Sequence, residues 1–389
     1  MAGYVINLNS AEALELYVTS GVYSTVLNIK PDTKNWQVFE GTFADYASMK
    51  PGDNIYFFIK RKLYGIGEII SLEGNGISDC RFNNFPEASK LKYFDYSQVK
   101  NKLLWDEGEK SKNQRWICCF KPSPAFYTEG IDMDEVLFSK PEAFRMLRAF
   151  WKVSFLKIDD EENLALKEIL LRKALEENIP KYPWSNEKHK QIITKLNSNY
   201  NLNVQDIIQS CFDTRTGSLN HEAALEAYII YHLRDKSPHV TDIFGKWDYI
   251  SRQVIASPFK PIDYMDKMDI FGYSFITGFS SLTPLKHKYL LIELKKGWAT
   301  KDDVDQAMKY VDWIRSEYTR GDYNPIEAFL VCREFPKEVI EHHEKVAHRT
   351  YTIGVKPVKT LTWNKLSLVK YEAFKNTKGD VSIVFKKVK

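Results

Sequence analysis

The sequence predicts a multidomain protein of mixed class, α+β in its front half and α/β in its rear half. Three observations carry this expectation. A chain of 389 residues is too long for one typical domain and suggests two to three units. An apolar fraction of 44%, with 14% aromatic residues, supplies large core formers and excludes long disordered tracts. Strand-forming aromatic runs crowd the first 157 residues, whereas from about Leu219 helical and strand patterns alternate.

The front unit is expected to begin with a short strand at Tyr4–Leu8 and a helix from Ser10 to Tyr17. Pro51-Gly52-Asp53-Asn54 is a turn that launches the aromatic strand Ile55–Ile59. The polar turn Lys60-Arg61-Lys62 then leads into a strand from Tyr64 to Ile70. Glycines at 65 and 67 within that strand suggest a bulge, a barrel bend or the close approach of another group. Trp116–Phe120 reads as a further strand, and Ser139–Ser154 as a helix and a closing strand. From Asp159 to about Tyr182 the pattern is a charged helix, whose acidic start suits the positive end of the helix dipole. Pro180 and Pro183 end it, and a second helix follows from Asn186 to about Leu196. The rear third reads as a helix at Asn220–Leu233, strands at Tyr249–Ala256, around Asp269 and at Lys288–Lys295, a helix at Lys301–Tyr318 and a strand at Ala328–Cys332. Domain boundaries are therefore expected at 1–157, 158–216 (a helical connector) and 217–389.

Charge and cysteine usage narrow the function classes. A net charge of +4 is mild, so average composition does not by itself indicate nucleic-acid binding. The five cysteines include no Cys-x-x-Cys pair and no histidine at zinc-finger spacing, which argues against a disulfide framework and a structural zinc. No apolar run reaches the length of a membrane span, and Met1-Ala2-Gly3-Tyr4 does not start a signal peptide. A cytoplasmic location, with no membrane partner, is the expectation.

The chemistry concentrates at Asp269, Glu293 and Lys295. The apolar run Tyr289-Leu290-Leu291-Ile292 leads into Glu293 as a buried strand would, and Met268-Asp269-Ile270 repeats the apolar–acid–apolar pattern on an earlier strand. Two carboxylates on neighbouring strands form a divalent-cation site, and a lysine beside them can orient water or offset charge on a phosphoryl group. Gln306 and Tyr310, four residues apart, share one face of the following helix. Such a set points to a metal-dependent phosphodiesterase. Single Glu-x-Lys tripeptides arise by chance; order and context make the signal.

In Met268-Asp269-Ile270, Leu291-Ile292-Glu293-Leu294-Lys295-Lys296 and Gln306-Ala307-Met308-Lys309-Tyr310, residues 217–335 resemble the PD-(D/E)XK nuclease superfamily, and more closely its RecB-like members with a Gln-x-x-x-Tyr helix. One departure is that Met268, not proline, precedes the acid. The resemblance implies a restriction-endonuclease-like α/β core with a mixed sheet, in which Asp269, Glu293 and the Leu294 carbonyl bind Mg²⁺, with Mn²⁺ as an expected substitute. It implies that Lys295 positions the attacking water and that Gln306 and Tyr310 hold Lys295 or the DNA backbone. Glu226 on the first helix would complete the site, with Glu222 one turn earlier as the alternative, and Asp266 is the rival to Asp269. Arg252 and Gln253 are expected to add a phosphate contact or a polar group. Lys296, Lys301 and Lys309 would line a duplex-binding face.

Tyr4-Val5-Ile6-Asn7, Pro51-Gly52-Asp53 before an aromatic strand, Tyr64-Gly65-Ile66-Gly67-Glu68 and Phe150–Phe155 look like the PUA-like fold, most like its EVE branch, over residues 1–157. This implies a small β-barrel that recognises a modified or flipped base by stacking and edge hydrogen bonds. The aromatic faces available are Trp36, Trp105, Trp116, Phe126 and Tyr127. Trp36 leads as a cage residue, followed by Trp105, with Asp106 accepting from a base amino group. Together the two resemblances imply a modification-dependent restriction endonuclease of a microbial defence type. Its partner would be double-stranded DNA, and it would act as a homodimer at least on DNA, because cutting both strands needs two sites. The alternatives are a sequence-specific or repair nuclease reading unmodified DNA, or a non-catalytic DNA- or RNA-binding protein.

Overall fold

Strand-forming runs organise both halves of the chain, which the computed structural model divides into two mixed α and β units, residues 1–202 and 203–389. The structure describes residues 1–27, 36–70, 81–82, 114–123, 129–149, 155–177, 186–195, 204–256, 266–276 and 284–388. Among them, no helix is long and apolar enough to cross a membrane.

In the first unit the strands are β1 (Gly3–Asn7), β2 (Val22–Leu27), β3 (Asn54–Ile59), β4 (Lys62–Ile69), β5 (Arg81–Phe82), β6 (Gln114–Pro122), β7 (Ile131–Asp132) and β8 (Phe155–Ile158). They form one sheet ordered β2-β6-β4-β3-β1-β8, with β5 on β6 and β7 on β4. β1 and β3 run parallel, and the other neighbouring pairs run antiparallel. The two strand glycines have the physical causes their positions suggest. Gly65 takes a φ of 55°, beside a register shift between Ile55 and Phe57. At Gly67 a Cβ would stand 2.5 Å from the Phe120 ring, so only glycine lets β6 approach.

Helix α1 (Ala11–Ser20) is capped by Ser10 and ends at left-handed Gly21. Helix α2 (Trp36–Ala47) lays Phe39, Phe43 and Tyr46 against Trp116. Trp116 is therefore a core residue, not a free stacking face. Helix α3 (Met133–Ser139) ends where a helix was expected to begin. The cause is the Asp132 side chain, which caps the chain at Asp134 and starts the helix early, with Pro141 following close behind.

Helix α4 (Asp160–Glu177) packs on β1 and β4, and α5 (Asn186–Lys195) packs on α1. Polar stitching at the start of α4 explains its allegiance. Glu162 accepts from the backbone N–H groups of Arg145 and Leu147, at 2.8 and 3.0 Å. Asn163 accepts from the Tyr56 hydroxyl at 2.7 Å and donates to Asn54 at 3.0 Å. The helices of the segment expected as a helical connector divide between the units: α4 and α5 fall in the first, and α6 (Val204–Cys211) in the second.

The second unit opens with α6 and a hairpin of β9 (Phe212–Asp213) and β10 (Ser218–Leu219), followed by α7 (Glu222–Arg234) and α8 (Pro238–Phe244). Its sheet contains β11 (Tyr249–Ile255), β12 (Lys267–Phe275), β13 (Lys286–Leu294), β14 (Ile326–Cys332), β17 (Leu366–Lys375) and β18 (Val381–Lys387), hydrogen-bonded in that order. The first three strands are antiparallel, β13–β14–β17 are parallel, and β18 is antiparallel. From Tyr289 to Leu294 every residue of β13 is buried, as expected for a strand covered on both faces. Helix α9 (Lys301–Glu317) covers β13 and β14 with Val304, Ala307, Met308, Val311 and Ile314. Downstream of β14 lie α10 (Lys337–Val346), the hairpin of β15 (Arg349–Ile353) and β16 (Lys359–Trp363), and the last two sheet strands.

Candidate metal centre

Antiparallel register brings the two acids together. Ile270 of β12 pairs with Ile292 of β13, so the next position of the same register sets Asp269 opposite Glu293. Opposed residues of an antiparallel pair share a face, with Cβ atoms about 4.5–5.5 Å apart. Leu294 N–H donates to Asp269 Oδ2 at 2.8 Å and fixes that carboxylate against the exit of β13. Like charges facing each other in a buried sheet are unfavourable, and this sheet tolerates them only with compensation.

Part of that compensation comes from β11 and α7. Glu226, 2% exposed, receives Arg252 Nε and a second guanidinium nitrogen at 3.0 and 2.9 Å. Gln253 Nε2 bridges Glu226 Oε1 and Asp269 Oδ1, at 3.3 and 3.1 Å. Gln253 holds a φ of 50°, where a non-glycine residue is strained, and the β11–β12 ladder skips the Gln253–Asp269 step. That departure from strand geometry accompanies an amide shared between two carboxylates. Glu222 lies one turn earlier and accepts from Lys296 N–H at 3.2 Å, tying down the loop after β13, and its charge also reaches Asp269.

Lys295 Nζ donates to Glu293 Oε1 at 2.8 Å and lies 3.7 Å from Asp303 Oδ1. Asp303 also forms a capping box with Thr300 at the start of α9. Gln306 donates to the Tyr310 hydroxyl at 2.7 Å, and the charges of Glu293 and Asp269 reach that hydroxyl. The structure therefore brings Glu226, Asp269, Glu293, Lys295, Gln306 and Tyr310 to one end of the sheet. The side chain that touches Lys295 from α9 is Asp303, a residue the sequence did not single out; its signal was the Thr-x-x-Asp pattern after the lysine. Asp266 instead pairs with Lys309, Lys301 lies 3.8 Å from Glu338, and Lys296 donates to the Asn220 carbonyl. Side-chain detail at Trp36, and all of Trp105, Asp106, Phe126 and Tyr127, lie outside the described residues.

Electrostatics single out the acid pair. Burial, then the charge of Glu226, holds the Asp269 carboxyl well above the ordinary carboxylate range. Burial, then the charge of Asp269, does the same for Glu293. Glu293 Oε2 is buried and has no hydrogen-bond partner among the described residues. A buried carboxylate oxygen without a donor, beside a second carboxylate of raised pKa, fits a hard divalent cation bound through oxygen.

Nothing among family models or curated proteins matches the chain. Two solved structures show faint likenesses. A hypothetical protein from Leishmania major is 13% identical, covering 46% of this chain and 97% of its own, with a TM-score of 0.26. A protein from Agrobacterium tumefaciens is 16% identical, covering 47% of this chain and 99% of its own, with a TM-score of 0.24.

Proposed function

We propose that the chain is a Mg²⁺-dependent endonuclease of the PD-(D/E)XK type, with residues 203–389 cutting duplex DNA and a PUA-like, EVE-type front unit selecting DNA that carries a modified base. The observation that carries the catalytic half is the facing pair Asp269 and Glu293, with an unsatisfied Glu293 oxygen and Lys295 tied to the same carboxylate. Asp269, Glu293 and the Leu294 carbonyl would hold the metal. When bound, Mg²⁺ polarises the phosphodiester and lowers the pKa of its water. Lys295 would orient the attacking water and offset charge gathering on the phosphate, with Asp303 and Glu293 holding its ammonium in place. Gln253 and Arg252 would keep Glu226 and Asp269 in register for the ion. Gln306 and Tyr310 would steady the strand being cut. Cleavage of both strands calls for two copies on the DNA, and the setting would be cytoplasmic defence.

The test is cleavage of matched plasmids, unmodified or carrying 5-methylcytosine, 5-hydroxymethylcytosine or its glucosylated form, with Mg²⁺ and an Asp269→Ala control. Cutting confined to modified DNA and lost in the control supports both halves of the proposal. Uniform cutting keeps the nuclease and removes the modification sensor. No cutting under any condition rejects the nuclease and favours a binding protein.

A further inference from the structure

Three residues beyond Lys295 the chain displays a tryptophan to solvent on a backbone that is firmly held. Trp298 is 68% exposed. On one side of it, the Gly297 carbonyl accepts from Arg333 N–H at 2.9 Å. On the other, Ala299 N–H donates to the Glu334 carbonyl at 3.0 Å, and Trp298 itself bridges to Glu334. One residue further back, the Lys296 carbonyl accepts from the Tyr371 hydroxyl. A loop so pinned does not expose its indole through slack. Arg333 supplies the second observation: its guanidinium has no carboxylate partner among the described residues, while its neighbour Glu334 is already paired with Lys370. Three residues of chain span at most about 11 Å, so the indole is carried close to the metal-binding acids.

We propose that Trp298 stacks on a base of the strand being cut, within a few nucleotides of the scissile phosphate, while Arg333 contacts a neighbouring phosphate. This rests on the nuclease reading above. Aromatic stacking on bases tolerates any sequence, because every base offers a π-face, and an exposed indole on a loop whose backbone is bonded to that of an arginine supplies the two kinds of group, aromatic face and cation, that single-strand recognition uses. It also gives the rear unit a grip on DNA that is independent of the front unit's selectivity.

The experiment uses the full chain in a Lys295→Ala background, which blocks cutting, with Mg²⁺ present. A short fluorescein-labelled duplex, derived from a plasmid the wild-type protein cuts, is titrated and followed by anisotropy at several salt concentrations. Added Trp298→Ala should weaken binding roughly 5- to 100-fold, with the salt slope and the Mg²⁺-induced gain in melting temperature unchanged. Trp298→Phe should retain most of the affinity. Arg333→Gln should lower the salt slope by about one. Binding by the Trp298→Ala protein as tight as that of its Lys295→Ala parent, or a Trp298→Phe protein as weak as Trp298→Ala, overturns the stacking role and leaves the nuclease standing. A Trp298→Ala effect confined to oligomeric state, measured by light scattering, would assign the indole to a protein interface instead. A background protein that binds no DNA rejects the nuclease reading and this inference together.

Discussion

Asp269 and Glu293 each hold a proton more tightly in the folded chain than in the unfolded one. Between the ordinary carboxylate range and about pH 8, the upper of their two shifted values, the native state therefore binds more protons than the unfolded state. Stability contributed this way is present at low pH and is lost as pH rises through the folded values. In chelator, the melting temperature should fall from pH 5 to pH 8, apart from the background trend seen in a Glu293→Gln variant. A divalent cation replaces those protons, so the gain in melting temperature on adding Mg²⁺ should be small at pH 5 and larger at pH 8. Thermal unfolding with and without Mg²⁺ reads both, and a metal gain that shrinks with pH would contradict the centre. Lys295→Ala should keep that metal gain yet lose at least about 100-fold in cleavage, in the range seen when a single charge-stabilising donor is removed. Near wild-type cutting by it would place the catalytic strand elsewhere. At this scale the acids and the lysine were legible because a strand covered on both faces writes itself as an unbroken apolar run, and Glu293 and Lys295 break it only at its exit. Gln253 and Asp303 were less so. Their roles depend on a positive φ and on a capping box, which a polar residue in a sequence does not announce.

Those two side chains show how whole elements set the centre. β11 gives up one ladder step at Gln253 so that a single amide reaches Glu226 and Asp269. Gln253→Ala keeps the strained backbone and removes both contacts. It should weaken Mg²⁺ binding about 10- to 100-fold, as loss of an outer-shell partner does, and raise the Mg²⁺ concentration needed for half-maximal cutting. Unchanged Mg²⁺ dependence would reduce Gln253 to a structural residue. Helix α9 is started by Thr300 and Asp303 together. Thr300→Ala should cost about 1 kcal/mol of stability, readable by denaturant unfolding, and should loosen the carboxylate that braces Lys295. Five elements of the rear unit, α7, β11, β13, α9 and β14, were readable within two residues of their ends, because helix and strand periods differ sharply there, whereas α6, α8, α10 and the short hairpins carry too little pattern to be placed. The helix placed after Ser139 was misread, since the Asp132 cap that starts it sooner competes with an equally helical-looking stretch downstream. The strands beyond residue 335 are harder to read because the sequence hides their alternation; in β18 buried Val381, Ile383 and Phe385 alternate strictly with outward residues, but one of those is the apolar Val384, so the run reads as unpatterned.

At the scale of the molecule the two units make different demands on where the chain can be divided. The rear unit has its own six-stranded sheet with helices packed on it, and its candidate metal ligands all come from within it. A fragment covering 203–389 should therefore unfold cooperatively, show the same Mg²⁺ gain as the full chain, and cut modified and unmodified plasmids alike. Selective cutting by that fragment would move recognition out of the front unit. The front unit behaves differently, because the sequence pattern closes it at residue 157, before the long helix α4. Yet α4 packs on β1 and β4, Glu162 satisfies two backbone donors at Arg145 and Leu147, and Asn163 joins Tyr56 to Asn54. Gly3 is itself fitted to that helix: a Cβ there would stand 2.6 Å from Asn163 Oδ1. Ending the chain at 157 would expose the apolar partners of Ala165, Leu166, Ile169 and Leu170 on the sheet and strand those buried polar groups without donors or acceptors. A fragment of residues 1–202 should give a sharp thermal transition and remain monomeric, whereas residues 1–157 should melt at a lower temperature, with a broad transition, and aggregate. Equal stability of the two fragments would show that α4 rests on the front unit without helping to build it.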